Sequence, residues 1–134
     1  MGYCFEDGLA NSIITEVSSI KAWSGDGVLN NQISRSKTFT FTIIEINAVT
    51  LKQIYGEDNV TADQDAVNIL HNSKLKTSQV WAFEILSGNE RVKRILAPYG
   101  KTTSDNDVIY KYGEAIKYGV TISALPDSAG NITY

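Results

Sequence analysis

The feature that most constrains the fold is a change of period within residues 37–56, KTFTFTIIEINAVTLKQIYG. The stretch begins as strict alternation, with Phe39, Phe41 and Ile43 on one side and Thr38, Thr40 and Thr42 on the other. Period two in β-branched and aromatic residues predicts a half-buried strand. At Asn47 the pattern changes. Asparagine caps a helix by bonding the free N–H groups of the first turn. Ala48, Leu51, Ile54 and Tyr55 then recur at helical spacing. Gly56 supplies the stop, because glycine takes the left-handed conformation beyond a helix terminus. A strand therefore feeds a short helix over about residues 47–55, which must fold back onto the apolar face of a sheet. The strand's other face is a row of small, neutral threonines.

The same alternation returns near the C-terminus. Ile116, Tyr118, Val120, Ile122 and Ala124 share one face of residues 115–125, and Lys117, Gly119, Thr121 and Ser123 share the other. This strand is expected to pair with residues 107–112 around Gly113-Glu114. A second hairpin is expected from residues 80–86 and 91–97 around Ser87-Gly88-Asn89-Glu90. Trp81, Phe83 and Ile85 share a face there, and Pro98-Tyr99-Gly100 is expected to end the second strand. Upstream, Asp7-Gly8 reads as a turn, residues 12–23 as a strand with two mixed faces, and residues 24–27 as a turn. A short strand at residues 28–33 is expected to reach a hairpin tip at Ser34-Arg35-Ser36. Residues 57–78 are polar, acidic at first, and hold one short apolar run at residues 67–70. A connection of that length is commonly functional or mobile. The residues alone thus predict a β-rich chain, and 134 residues suit one domain spanning 1–134.

The charge balance excludes some partners. A net charge of −3 is too small for a dedicated nucleic-acid binder or a membrane-surface protein. Residues 1–67 hold 4 basic and 9 acidic side chains (−5), and residues 68–134 hold 8 and 6 (+2). Either this is scatter over a solvated surface, or one part of a subunit meets the opposite charge on a neighbour. No leader or long apolar run is present, so neither secretion nor a membrane span is expected, and cytosolic synthesis fits.

No catalytic constellation emerges. His71 is the single histidine and sits in a polar stretch, and no serine carries a nucleophile-elbow pattern. Gly100-Lys101-Thr102 lacks the earlier glycine of a phosphate-binding loop, since Ile95 stands there. Cys4 is alone, which excludes an internal disulfide and a cysteine metal site. The acidic pairs Asp63/Asp65 and Asp105/Asp107 do not match an EF-hand. No catalytic residue, metal, cofactor or small-molecule substrate is therefore expected.

Several landmarks together resemble the major tail tube proteins of long-tailed phages, particularly those of actinobacterial hosts. They are Phe5-Glu6-Asp7-Gly8, Lys21-Ala22-Trp23 before a glycine-rich turn, and Glu45-Ile46-Asn47 at the strand–helix junction with Tyr55-Gly56 after it. Residues 81–94 with their central Ser-Gly turn follow, then Gly113-Glu114-Ala115, and Ala124-Leu125-Pro126-Asp127 with Gly130. Their order and spacing cover nearly the whole chain.

The resemblance implies a mainly β fold, a β-sandwich or half-barrel with one short flanking α-helix. It implies a structural virion protein and no enzyme. Six copies would close into a ring with a continuous inner β-barrel, and rings would stack into a tube. Tape-measure protein and transiting DNA would occupy the lumen, and assembly would take place in the host cytoplasm. A lumen strand needs an apolar face against its own core and a small face toward the channel. Thr38, Thr40, Thr42, Gly119, Thr121 and Ser123 meet that need and are the candidate lumen residues. Trp23, Arg35, Arg91, Lys93 and Arg94 are the candidates for contacts between subunits. Three cations on one hairpin are more often a solvated edge that discourages strand pairing. The rival function is a monomeric β-sandwich binding module for a carbohydrate or a protein, which would show an exposed aromatic cluster.

Overall fold

The computed structural model describes residues 4–45, 47–63, 66–72, 74–88, 91–105, 108 and 110–134. Its centre is a five-stranded antiparallel sheet in the order β1-β2-β7-β6-β5. The strands are β1 (Cys4–Lys21), β2 (Gly27–Ile43), β5 (Gln79–Ser87), β6 (Arg91–Asp105) and β7 (Tyr118–Leu125). A helix, α1 (Ala48–Tyr55), and a two-stranded sheet of β3 (Val60–Ala62) and β4 (Val67–Ile69) complete the elements. The chain is thus mainly β and sandwich-like with a single flanking helix, as the sequence predicts.

The expected change of period is visible in detail. Phe39, Phe41 and Ile43 of β2 are buried, and Thr40 between them is exposed. Asn47 caps α1 reciprocally with Thr50. The Thr50 N–H donates to Asn47 Oδ1 at 2.9 Å, and the Asn47 N–H donates to Thr50 Oγ1 at 3.1 Å. Such a cap is worth about 1 kcal/mol. Gly56 closes the helix at φ 97° and ψ 147°, a region outside the left-handed helix that is essentially glycine's own. Leu51 and Ile54 of α1 and Val60 of β3 then join the buried cluster on the sheet's apolar face.

On the sheet side that cluster holds Phe39, Phe41, Ile43, Tyr118, Val120, Ile122, Ala124, Ile95 and Ala97. Trp81 and Phe83 of β5 extend it. Phe83 lies 5.0 Å from Phe39 and 5.5 Å from Phe41 between ring centroids, and Trp81 lies 6.0 Å from Phe41. Tilted and edge-on pairs of this kind add about 0.5–1.5 kcal/mol each beyond area burial.

Several expected boundaries move. Asp7-Gly8 is an irregularity inside β1, with Gly8 at φ 74°, and the strand continues through it. Ser34-Arg35-Ser36 is no hairpin tip, because β2 runs unbroken from Gly27 to Ile43 and the turn occupies residues 22–26. Pro98-Tyr99-Gly100 does not end a strand. Gln79 pairs with Gly100 and Trp81 with Ala97, so the strand β6 carries an extra residue there. A bulge is where a sheet tolerates a proline, since no ladder bond needs its missing N–H. Beyond the bulge β6 goes on to pair with β7 from Tyr99 to Asp105. Positions 107 and 109 of the expected 107–112 strand lie outside the described residues. Val108, Tyr110, Lys111 and Tyr112 are not in a strand, and β7 pairs with β6 and β2 instead. Positions 89 and 90 of the expected β5–β6 turn also lie outside the described residues.

The register divides the sheet into a body and an arm. One row runs straight across it: Gln79, Gly100, Ala124, Lys37 and Ile13. Past that row β7 ends at Leu125 and β1–β2 continues as an arm, whereas β5–β6 folds over the apolar face and brings Phe83 within 5.0 Å of Phe39. The arm has its turn at residues 22–26. The last nine residues fill the notch between the arm and β6. Tyr134 exchanges two backbone hydrogen bonds of 2.9 Å with Leu96, and Lys37 Nζ donates to Thr133 Oγ1 at 2.8 Å.

Candidate functional site: a small polar sheet face and a projecting arm

The candidate lumen residues come together as three cross-strand pairs. Thr38 lies opposite Ser123, Thr40 opposite Thr121, and Thr42 opposite Gly119. The alternation of β2 and β7 forces all six onto the face away from the core. The Thr40 and Thr121 hydroxyl oxygens are 3.3 Å apart, close enough for one to donate to the other. Directly opposed threonines stabilise a strand pair by a few tenths to about 1 kcal/mol. The patch carries no formal charge and no side chain longer than threonine. It extends along the arm through Ser12, Ser36 and Ser34, which share its face by register. Ile14, Glu16 opposite Ser34, and the Ile20–Leu29 pair interrupt it there.

The five expected contact residues divide between the arm and β6. Trp23 sits in the turn of the arm with its side chain fully exposed (105%). Arg35 lies in β2 opposite Thr15 and, with Lys37, lines a 560 Å³ cleft against residues 130–133. Arg91, Lys93 and Arg94 lie in β6, but not as one cluster. Arg91 and Lys93 share the face of Ile95 and Ala97. Arg94 points the other way, where its Nε donates to Glu84 Oε2 at 2.8 Å. That pair is exposed and contributes at most about 1 kcal/mol.

Among the described residues no group of three or more His, Cys, Asp or Glu is placed to hold a metal ion. No helix among them is long and apolar enough to cross a membrane. His71 packs edge-on against Tyr55 at 5.0 Å between centroids.

Three features were not anticipated from the sequence. Gly100 is a matter of space. A Cβ there would stand 2.4 Å from Trp81 Cδ1 and 2.9 Å from Ile122 Cγ2, so the indole lies directly on the glycine. The Trp81 Nε1 is buried there without a hydrogen-bond partner among the described residues. Next, Asp127 organises the C-terminal turn. Its Oδ1 accepts from the N–H groups of Ala129 and Asn131, both at 2.8 Å, and its Oδ2 accepts from the Tyr134 hydroxyl. The tyrosine's hydrogen bond, followed by the backbone donors, holds this carboxyl below its ordinary pKa. Last, the arm exposes Ile13, Ile14, Val17, Ile20, Val28, Leu29 and Ile33. The mixed faces of residues 12–23 were the only sequence signal for this, because an apolar residue on each face of one strand leaves no single side to bury.

A neutral surface of short side chains, together with an arm that holds apolar residues outside any core, suits a subunit that others complete. A family model described as phage tail tube protein matches residues 1–134. The chain belongs to the phage tail tube protein family. It is a structural protein of the phage tail, and the family implies self-assembly into a tube. No curated protein shows a significant match to the chain. Tail tube membership gives the arm its context: its uncovered apolar residues are a surface that an assembled tube can bury.

Proposed function

We propose that six copies of this tail tube protein close into a ring with a continuous inner β-barrel. Rings stack into a tube, and DNA and the tape-measure protein occupy its lumen. Thr38, Thr40, Thr42, Gly119, Thr121 and Ser123 line that lumen. The observation that carries the reading is the register of β2 against β7, which makes one small, uncharged surface from those six residues. The six side chains carry no charge, and the cation Lys101 borders them opposite Ser123 on the same face. Trp23 and Arg35 of the arm, and Arg91, Lys93 and Arg94 of β6, serve contacts between subunits. The role is mechanical, with no catalysis, cofactor or metal, and assembly takes place in the host cytoplasm.

Negative-stain microscopy of the wild type and of Thr40→Asp tests this. The wild type should form rings or tubes at high protein concentration. Thr40→Asp should fold normally yet assemble poorly at low salt, because six added charges then face one another around a channel. Molar salt should restore part of the assembly, since screening falls to about 3 Å at that ionic strength. Isolated particles of the wild type under every condition would favour a monomeric binding module.

A further inference from the structure

The root of the arm holds the 560 Å³ cleft between β2 and the C-terminal residues. Register sets one of its walls. Lys37 lies opposite Ile13 and Arg35 opposite Thr15, so both share the core side of β2 with Phe39. The extra residue Ile33 brings Gln32, opposite Val17, onto that side as well. The other wall is the segment from Pro126 onward, which contributes Ile132 and Thr133. The Tyr134–Leu96 backbone pair anchors that segment to β6.

Among the described residues, two cations line this cleft and no carboxylate does. Lys37 is half-buried. Its Nζ donates to Thr133 Oγ1 at 2.8 Å and lies 5.4 Å from the Phe39 ring centroid. An ammonium has three donors, and burying a charge is costly unless it is paired. Arg35 is exposed and makes no ion pair among the described residues. The one acid of residues 126–134 is Asp127, and it is already taken by the Tyr134 hydroxyl and the N–H groups of Ala129 and Asn131. Arg35 and Lys37 are two residues apart on one strand face, roughly 7 Å along the strand. The carboxylates of two neighbouring residues can match that separation.

The chain itself carries such a pair. Residues 57–65 hold Glu57, Asp58, Asp63 and Asp65 and no lysine or arginine. Glu57 and Asp58 open the 3-10 turn Glu57–Asn59 that follows α1, and both are exposed. Neither makes an ion pair among the described residues. We infer that the cleft at the root of the arm is a binding site for a carboxylate pair, and that its occupant is Glu57–Asp58 of a second copy. The Arg35 guanidinium takes one carboxylate through two parallel N–H···O bonds. Lys37 takes the other as a point charge. Ile13 and Ile132 offer an apolar surface to the methylene groups of the acidic side chains. Naming a second copy deepens the tube reading and rests on it, whereas the cleft does not depend on it.

A peptide of residues 56–63, titrated into the wild-type subunit at low salt and followed by NMR, tests the cleft. The amides of Arg35, Lys37, Ile132 and Thr133 should shift together, and shifts confined to other residues would overturn the site. Arg35→Gln should weaken binding about tenfold, the scale of one lost hydrogen bond to a charged group. Lys21→Gln removes an exposed cation elsewhere on the arm and should leave binding unchanged. Equal weakening by both variants would reduce the effect to general charge attraction and overturn the site. A peptide carrying Glu57→Gln and Asp58→Asn should not bind, and retained binding would overturn the choice of that pair. Inorganic phosphate is the remaining arm. If it occupies the cleft more tightly than the peptide, the site serves a small oxyanion and the peptide assignment falls.

Charge reversal tests the second copy. Arg35→Glu should keep the monomer's melting temperature, because Arg35 is exposed, and should form no tubes by negative-stain microscopy. Adding Glu57→Arg to that variant should restore part of the assembly. Normal tubes from Arg35→Glu would overturn the second copy as occupant while leaving the tube reading intact. If the wild type forms no tubes, the tube reading and this occupant fail together, and the peptide titration still decides the cleft.

Discussion

Strand β2 passes through two environments, and the contrast between them explains most of this molecule. From Lys37 to Ile43 it lies between β1 and β7, and Phe39, like Val120 and Ile122 beside it, is completely buried (0%). From Gly27 to Ser36 it has only β1 for company. The apolar residues of that ribbon remain half exposed: Ile14 55%, Val17 57% and Ile20 59%. Composition does not separate the regions, since both are rich in β-branched residues. Coverage does. In the body, strict alternation gives a single apolar face that α1 and β3 can cover. In the arm, Ile13 and Val17 lie on one face and Ile14 and Ile20 on the other, so no single layer could cover them. An isolated two-stranded ribbon is marginal in water. The body therefore stabilises the subunit, and in the proposed tube other copies would bury the arm.

The largest effect should come from breaking the body. Phe41→Asp removes a ring packed against Phe83 and Trp81 and buries a charge. Losing the ring alone costs roughly 3–5 kcal/mol, and an unpaired buried charge adds several more. Against a total of about 5–15 kcal/mol, little folded protein should remain by circular dichroism. Thr40→Asp, one residue away on the exposed face, should cost the monomer under about 1 kcal/mol. The reverse order of effects would exchange the two faces and remove the lumen assignment with them.

A pair of glycines sharpens the contrast. Gly100→Ala drives a methyl into Trp81 and Ile122, and overpacking of this kind costs about 1–3 kcal/mol. Gly27 lies in the arm, its φ is not positive, and a Cβ there meets nothing within 4 Å. Gly27→Ala should be neutral or stabilise by up to about 1 kcal/mol through the unfolded chain. Urea unfolding of both variants reads the difference directly. Equal losses would mean that the arm is packed as tightly as the body.

In the arm itself, Ile14→Ser and Ile20→Ser should each change monomer stability by no more than about 0.5 kcal/mol. Both should raise the protein concentration needed for assembly. A clear loss of monomer stability would show that the ribbon is already covered in the free subunit.

The two regions also differ in how far the sequence revealed them. Residues 37–56 and 116–124 were legible because periodicity and capping chemistry agreed there, and the six small residues followed from the same alternation. The arm was misread as two short strands with a tip at Ser34-Arg35-Ser36. Polar residues in a ribbon exposed on both faces look like a turn, and the extra residue Ile33, between pairs Glu16–Ser34 and Val17–Gln32, breaks the alternation. Pro98 misled for a related reason. Proline stops most strands, but here it occupies the bulge at which β6 takes β7 as a second partner. Local signals report the conformation of a residue, and partner choice depends on residues far away in the chain.

The smallest expected effect lies in the notch between the arm and β6. The Tyr134 hydroxyl and the N–H groups of Asn131 and Ala129 favour the charged form of Asp127, so its pKa is lower when the turn is formed. The sign follows from linkage. A carboxyl with a depressed folded pKa stabilises the turn above its unfolded value of about 3.9, and that contribution is lost as pH falls through the folded value. Acid should therefore loosen residues 127–134 locally before it unfolds the body, whose core on this face is apolar. The amide resonances of Ala129 and Asn131, both donors to Asp127, report the transition by NMR. Their midpoint should lie below about 3.9 in the wild type and rise in Tyr134→Phe, which deletes the largest cause of the shift. A midpoint unmoved by Tyr134→Phe would mean that the backbone donors alone hold the carboxylate. The filling of the notch would then rest on the Tyr134–Leu96 backbone pair and the Lys37–Thr133 bond, without help from this side chain.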